Sequence, residues 1–194
     1  MIKSEIMHPS ISKNILRQLI GKKVTGLVRY SWWEKGDVAN ECHIPKEQTF
    51  SLTAGPLAVV FEDGSVLGVA SDPSMNSVIV WLDHACDQID INQPLCEDPD
   101  LFPILANDKI YSGLAWEKFI GNTITKFSIL KNTEMSAGEA AVPSELGLCF
   151  YFDSDVHFIG SHGLHNGSDD FSVLLDNQID PKLRPKLEEL IFLE

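Results

Sequence analysis

The chain has 194 residues, of which 44% are hydrophobic, and this is enough for one large domain or two small ones with packed cores. The formal net charge of −13 argues against a protein that binds nucleic-acid backbones, because such proteins need basic surfaces. The sequence contains no apolar run of the roughly 18 residues that a membrane span requires, and no apolar secretory signal.

Four cysteines, Cys42, Cys86, Cys96 and Cys149, follow no disulfide or zinc-binding spacing. We therefore expect reduced thiols in a cytoplasmic protein. A single disulfide is the alternative that the cysteine spacing does not exclude.

The first predicted element is a short helix within residues 10–20, where apolar residues recur at helical spacing and Gly21 supplies the C-terminal cap. A strand over 23–32 follows. Because adjacent residues on a strand point to opposite faces, Trp33 is predicted to be an exposed interface anchor while Trp32 lies in the core. Burial of both side chains under the following loop is the alternative.

Alternating apolar residues over 57–61 predict a strand with one buried face. Asp63 and Gly64 predict a type I′ turn, in which both central residues have positive φ. A last strand over 77–83 completes an antiparallel meander. Residues 84–107 contain three prolines and five acidic residues without a clear period, which predicts a connection between two units.

The second half of the chain repeats this order. Residues 119–125 (FIGNTIT) resemble 19–25 (LIGKKVT), and matching strands follow over 148–152 and 171–176. Three matches in the same order predict a duplicated supersecondary unit, with chance similarity between generic strands as the alternative. A helix over 112–121 is the counterpart of the first helix, and Asp153-Ser154-Asp155 predicts a looser hairpin turn.

The spacing of Leu183, Leu187, Leu190 and Ile191 predicts a C-terminal helix that docks on a sheet. The predicted fold class is therefore α+β and mostly antiparallel, with two duplicated helix-plus-four-strand meander units packed together. The first unit spans 1–83, the acidic connection 84–108, and the second unit with the C-terminal helix 109–194.

Acidic residues are concentrated in two segments that contain no lysine or arginine. Eleven lie between Lys46 and Lys109 and nine between Lys131 and Lys182, which together make 20 of the 28. This layout indicates either general solubility or a surface that attracts a basic partner. Under the second interpretation the candidate partner-binding residues, near the hairpin ends, are Glu62, Asp63, Asp72, Asp83, Asp153, Asp155, Asp169, Asp170 and the exposed Trp33.

Catalytic and metal signatures are weak. His157, His162 and His165 with nearby acids form the densest ligand-capable cluster, but the equivalent turn of the first unit has no histidine, so a solvated loop is favoured over a metal site. The sequence has neither a Gly-x-Ser-x-Gly nucleophile elbow nor a phosphate-binding P-loop. We expect no cofactor, no metal and no catalytic residue.

The repeated pattern Ile-Gly-x-x-Ile/Val-Thr, at 20–25 and 120–125, precedes a hairpin of the form Leu-x-Val/Phe-x-Phe with an acidic turn. This combination resembles immunity proteins of bacterial contact-dependent inhibition and other polymorphic toxin systems. The resemblance implies a cytoplasmic inhibitor, a monomer or weak dimer, that neutralises a basic, nuclease-like toxin by occluding its active site. A small-molecule or metal-binding sensor module and an enzyme of unrecognised type remain the alternatives.

Overall fold

The computed structural model describes residues 6–84 and 93–193, so part of the predicted connection, residues 85–92, lies outside the described residues. The described strands form two antiparallel sheets, as the α+β interpretation predicts. The helices are short: α1 (Lys13–Arg17), α2 (Lys35–Glu41), α3 (Thr49–Leu52) and α4 (Ala137–Ala140).

The first sheet has five described strands: β1 (Val24–Ser31), β2 (Leu57–Phe61), β3 (Val66–Asp72), β4 (Ser77–His84) and β5 (Phe102–Leu105). Their spatial order is β4-β3-β2-β1-β5, which is a four-strand meander with a fifth strand paired to its first. The first sheet therefore extends beyond residue 83 and includes part of the predicted connection.

The second sheet repeats this arrangement with β6 (Ile124–Asn132), β7 (Gly147–Phe152), β8 (His157–His162), β9 (Phe171–Leu174) and β10 (Leu187–Leu193). The order β10-β6-β7-β8-β9 again places the last strand beside the first strand of the meander. The two copies also share a bulge, since the register shifts after Val24 in β1 and after Ile124 in β6.

The two hairpin turns have the same conformation, so the predicted difference between them is wrong. In each, the residue before the turn accepts a hydrogen bond from the residue three positions later, from Gly64 to Phe61 and from Asp155 to Phe152. Gly64 has φ 83° and Asp155 has φ 57°. Asp63 is not among the residues with positive φ, so the turn is a three-residue loop with one left-handed position and not type I′.

The units meet where their first strands begin. Lys23 and Thr123 form an isolated antiparallel bridge. Around it, Gly21 donates to the carbonyl of Ile124 at 2.8 Å, and Gly121 donates reciprocally to the carbonyl of Val24 at 2.7 Å. Both glycines have positive φ as predicted, but neither caps a helix, because α1 ends at Arg17 and the second segment forms no α-helix.

One hydrophobic core lies between the sheets. It contains Leu27, Val59 and Val69 from the first sheet, together with Phe127, Phe150, Phe158 and Val173 from the second. Leu16 and Leu19 near α1 join the same cluster, as do Trp116 and Phe119 at the equivalent positions of the second unit. The two copies thus bury their apolar faces against each other.

Two predicted helices are wrong. The C-terminal segment forms the strand β10, because Pro185 interrupts the helical spacing and Leu187–Leu193 pairs with the open edge of β6. The segment 112–121 contains only one 3-10 turn, Glu117–Phe119, although its apolar residues Trp116 and Phe119 are buried as the helical pattern requires.

Candidate functional site

A cleft of about 630 Å³ lies between the two units. One wall comes from the long connection between β1 and β2, which carries α2 and α3, and the other from the loop between β8 and β9. In the other half of the duplicated fold, the connections equivalent to these two walls are the one between β6 and β7 and the one between β3 and β4. The cleft therefore combines a long connection of one unit with a hairpin end of the other.

Two adjacent indole rings line this cleft. Trp32 is 53% exposed and Trp33 is 59% exposed, so the prediction that Trp32 lies in the core is wrong. The alternation of a strand no longer applies to them, because β1 ends at Ser31, whose hydroxyl accepts a hydrogen bond from the Trp33 N–H at 3.2 Å. The exposure predicted for Trp33 is confirmed.

A buried arginine links the two walls of the cleft. Arg29 on β1 is fully buried, and its guanidinium donates to the carbonyls of Phe50, Thr53 and Gly55 in one unit and of Phe171 in the other. The guanidinium carbon also lies 4.6 Å from the centre of the Phe171 ring. Burial lowers the pKa of Arg29 to about 9. Thr53 and Phe171 line the cleft, so one side chain fixes both of its walls.

Acidic residues stand on the opposite wall. Asp170 lines the cleft, and both Asp169 and Asp170 are exposed. Neither carboxylate makes a hydrogen bond or ion pair with another residue in the part of the chain that the structure describes. We call the surface formed by Trp32, Trp33, Asp169 and Asp170 the cleft face.

His162, at the end of β8, is 3% exposed, and its Nδ1 has no hydrogen-bond partner among the described residues. Burial lowers the pKa of this imidazole, while the charges of Asp169, Asp72 and Asp170 oppose the shift. Asp72 itself accepts hydrogen bonds from the hydroxyl and N–H of Ser74, which lower its pKa.

Four other predicted acids lie at the hairpin turns beside the junction of the units. Glu62 accepts from the Lys23 N–H at 3.3 Å, and Asp153 accepts from the Thr123 N–H at 3.1 Å. Asp63 pairs with Lys22 at 2.6 Å, and this hydrogen bond with those from Ser65 holds its pKa well below the usual range. Asp155 occupies the left-handed turn position. These residues form a second acidic group, and most of their carboxylates accept hydrogen bonds in or next to the turns.

Asp83 belongs to neither group. Its carboxylate accepts from the Trp81 indole N–H at 3.1 Å and from the Leu95 N–H, so it attaches the segment before β5 to β4. Apart from Asp83, the described ion pairs with lysine or arginine include Asp63 alone among the predicted acids. Most of the predicted partner-binding carboxylates therefore form no described ion pair with a lysine or arginine.

The three candidate histidines do not converge. His157 stacks on Tyr151 and lies 3.3 Å from Asp176, His162 is buried, and Nδ1 of His165 donates to the carbonyl of Gln178 at 3.1 Å. No group of three or more histidine, cysteine or acidic side chains in the described ranges is arranged to hold a metal ion. Of these three histidines, His165 alone lines the cleft.

Sequence reasoning missed a polar cluster on the outer face of the second sheet. The Tyr151 ring stacks on His157, Lys126 Nζ lies 4.1 Å from the ring centre, and the Tyr151 hydroxyl donates to Glu189. Burial and this carboxylate raise the pKa of Tyr151. These side chains lie on four different strands, but a signal was present, because the equivalent positions of the first unit hold Gly26, Val60 and Val66.

The counterpart of the cleft in the other half is closed. The Asn76 amide donates to the Ser144 hydroxyl at 3.0 Å, which joins the β3–β4 loop to the β6–β7 connection. The carboxylate of buried Glu145 accepts from the Ser10 N–H at 3.0 Å and lies 3.2 Å from Nδ1 of His8. The N-terminal segment thus covers this location, so the two halves of the fold differ in whether a cleft is present there.

None of the described helices is long and apolar enough to cross a membrane. Searches against protein-family models, curated proteins and solved structures found no significant match to this chain. The resemblance to immunity proteins therefore rests on the sequence patterns alone.

Proposed function

We propose that this protein binds a basic protein partner through the cleft face, and that the partner is a toxin domain which it neutralises by occluding the active site. The observation that carries the proposal is the pair of half-exposed indoles, Trp32 and Trp33, on a cleft whose opposite wall presents Asp170. Exposed tryptophans beside a concavity are typical anchors of protein interfaces, where a few aromatic residues supply most of the binding energy.

The charge of the cleft face supports a basic partner. Asp169 and Asp170 keep their negative potential because no described lysine or arginine pairs with them. Complementary charge accelerates association and suppresses unsuitable partners. Nuclease active sites are basic because they bind phosphates, so an acidic surface with aromatic anchors suits their occlusion, in line with the resemblance of the repeated hairpins to immunity proteins.

The test co-expresses the full chain with the product of the neighbouring reading frame, which we expect to carry a basic toxin domain, and measures growth and the kinetics of the purified complex. Asp169→Lys with Asp170→Lys should slow association by about tenfold and flatten its salt dependence. Trp33→Ala should mainly accelerate dissociation, by about thirtyfold for a residue worth about 2 kcal/mol.

A charge-matched control replaces Glu117 and Glu188 by lysine, since both are exposed and neither lines the cleft. This variant should bind nearly as the parent does. Binding that ignores both salt and the Asp169/Asp170 reversal would refute the electrostatic mechanism. Loss of binding on reversal of Asp153 and Asp155 alone would move the interface to the hairpin turns.

The cleft volume favours a second candidate function, a small-molecule binding module. About 630 Å³ lies within the range of ordinary ligand sites, which span roughly 300–1,000 Å³. Native mass spectrometry of the purified protein tests this directly. A retained molecule that disappears in a Ser172→Trp variant, which fills the cleft, would support the ligand module over the inhibitor.

A further inference from the structure

The residues lining the cleft have a consistent chemical character. They include the two indole rings, the carboxylate of Asp170 and several neutral oxygen acceptors, among them Ser31, Asn166 and Ser172. The described lining residues include no lysine or arginine. A surface with aromatic faces, one carboxylate and neutral acceptors favours a cationic group over an anionic one.

The position of Arg29 decides where such a group would sit. Its guanidinium donates to the carbonyls of Thr53 and Phe171, two residues that line the cleft. A second cation beside these two residues would be repelled and would find their carbonyls occupied. The favourable place is therefore beside the indoles and Asp170.

We propose that the cleft receives a single arginine side chain of the partner, stacked on Trp32 or Trp33 and paired with Asp170. Arginine suits the cleft better than lysine, because its planar guanidinium stacks on an indole while its edge donates two parallel hydrogen bonds to a carboxylate. Asp170 has its carboxylate free for this pairing among the described residues, and His165, which also lines the cleft, is held by its hydrogen bond to the carbonyl of Gln178. The inference rests on the proposed function, since it names the partner group that enters the same face.

The test needs no knowledge of the partner. The full chain is titrated with a blocked Gly-Arg-Gly tripeptide, and the indole N–H signals of the four tryptophans are followed by NMR. The arginine peptide should shift the signals of Trp32 or Trp33 with a dissociation constant on the order of 1 mM, and leave buried Trp116 unchanged. The lysine peptide should bind several-fold more weakly, and the isosteric neutral citrulline peptide should not bind.

Asp170→Asn should weaken binding of the arginine peptide by about tenfold or more, because the charge-assisted hydrogen bonds are lost. Asp153→Asn removes the same charge at a hairpin turn and should leave the affinity unchanged. Equal binding of the arginine and citrulline peptides, or insensitivity to Asp170→Asn, would overturn the inference. If no peptide binds while the toxin domain still binds in a Trp33-dependent manner, the arginine pocket is wrong and the proposed function stands.

Discussion

Arg29 is the residue on which the geometry of the cleft most depends. Its guanidinium is buried without a carboxylate partner among the described residues, and its charge is solvated by four backbone carbonyls. Such an arrangement costs desolvation energy, but it satisfies carbonyls of the α3–β2 connection that would otherwise be buried without donors. Gly55 contributes to the same packing, since a Cβ there would lie 2.2 Å from the Tyr30 carbonyl oxygen.

Replacing Arg29 by methionine should lower the free energy of unfolding by about 3 kcal/mol or more, because it leaves several buried carbonyls without a donor. Urea denaturation measures the change. Arg17→Met is the matched control, since Arg17 is exposed, and it should alter stability by no more than about 0.5 kcal/mol. Equal stability of the two variants would show that Arg29 does not hold the cleft walls together.

The burial of His162 predicts how the stability of the protein depends on pH. Burial lowers its pKa below the ordinary value of 6.5, so the unfolded chain binds the proton more readily than the folded one. The contribution of this residue to stability therefore decreases as the pH falls below 6.5 toward its folded-state pKa, and it does not change at higher pH. His162→Phe, which also removes the unpartnered Nδ1, should show a shallower loss of stability between neutral and mildly acidic pH.

Urea denaturation at several pH values checks this prediction. The parent and His162→Phe are compared under the same conditions, so that the difference between their pH slopes reports on His162 alone. An unchanged pH slope in His162→Phe would mean that His162 is not held neutral by burial.

At the scale of elements, the two hairpin turns share a conformation but place different residues at the left-handed position. Gly64 and Asp155 both have positive φ, but only glycine adopts this conformation without a steric cost. Asp155→Gly should therefore raise the free energy of unfolding by about 0.5 kcal/mol, and Gly64→Ala should lower it by about 1 kcal/mol. Thermal denaturation measures both, and a destabilising Asp155→Gly would indicate that the aspartate side chain supports the turn.

The strands were predictable because alternation fixes which face is buried. Leu57, Val59 and Phe61 alternate, and the equivalent residues of β7 showed that the pattern is repeated. The strand β10 was mistaken for a helix because its leucine spacing also fits a helical stripe, and only the open edge of β6 decides between the two. A pairing partner distant in sequence cannot be read from a local period.

At the scale of the molecule, the cleft could not be predicted, because its walls come from residues more than 100 positions apart, such as Trp33 and Asp170. Local reasoning identified both of these residues individually, from an exposed aromatic and an uncompensated charge. It also grouped them with Glu62, Asp63 and Asp153, which the fold places at the hairpin turns. The sequence therefore indicated which residue types to consider, but only the fold shows which of them lie together.

The closed counterpart of the cleft has a consequence for stoichiometry. An assembly of two identical chains with closed symmetry would have to display the same groove twice. Here both halves belong to one polypeptide, so one groove is sealed by Ser144, Glu145 and the N-terminal segment while the other stays open. Each chain is therefore expected to offer the proposed partner one docking position, and a titration with that partner should end at one equivalent.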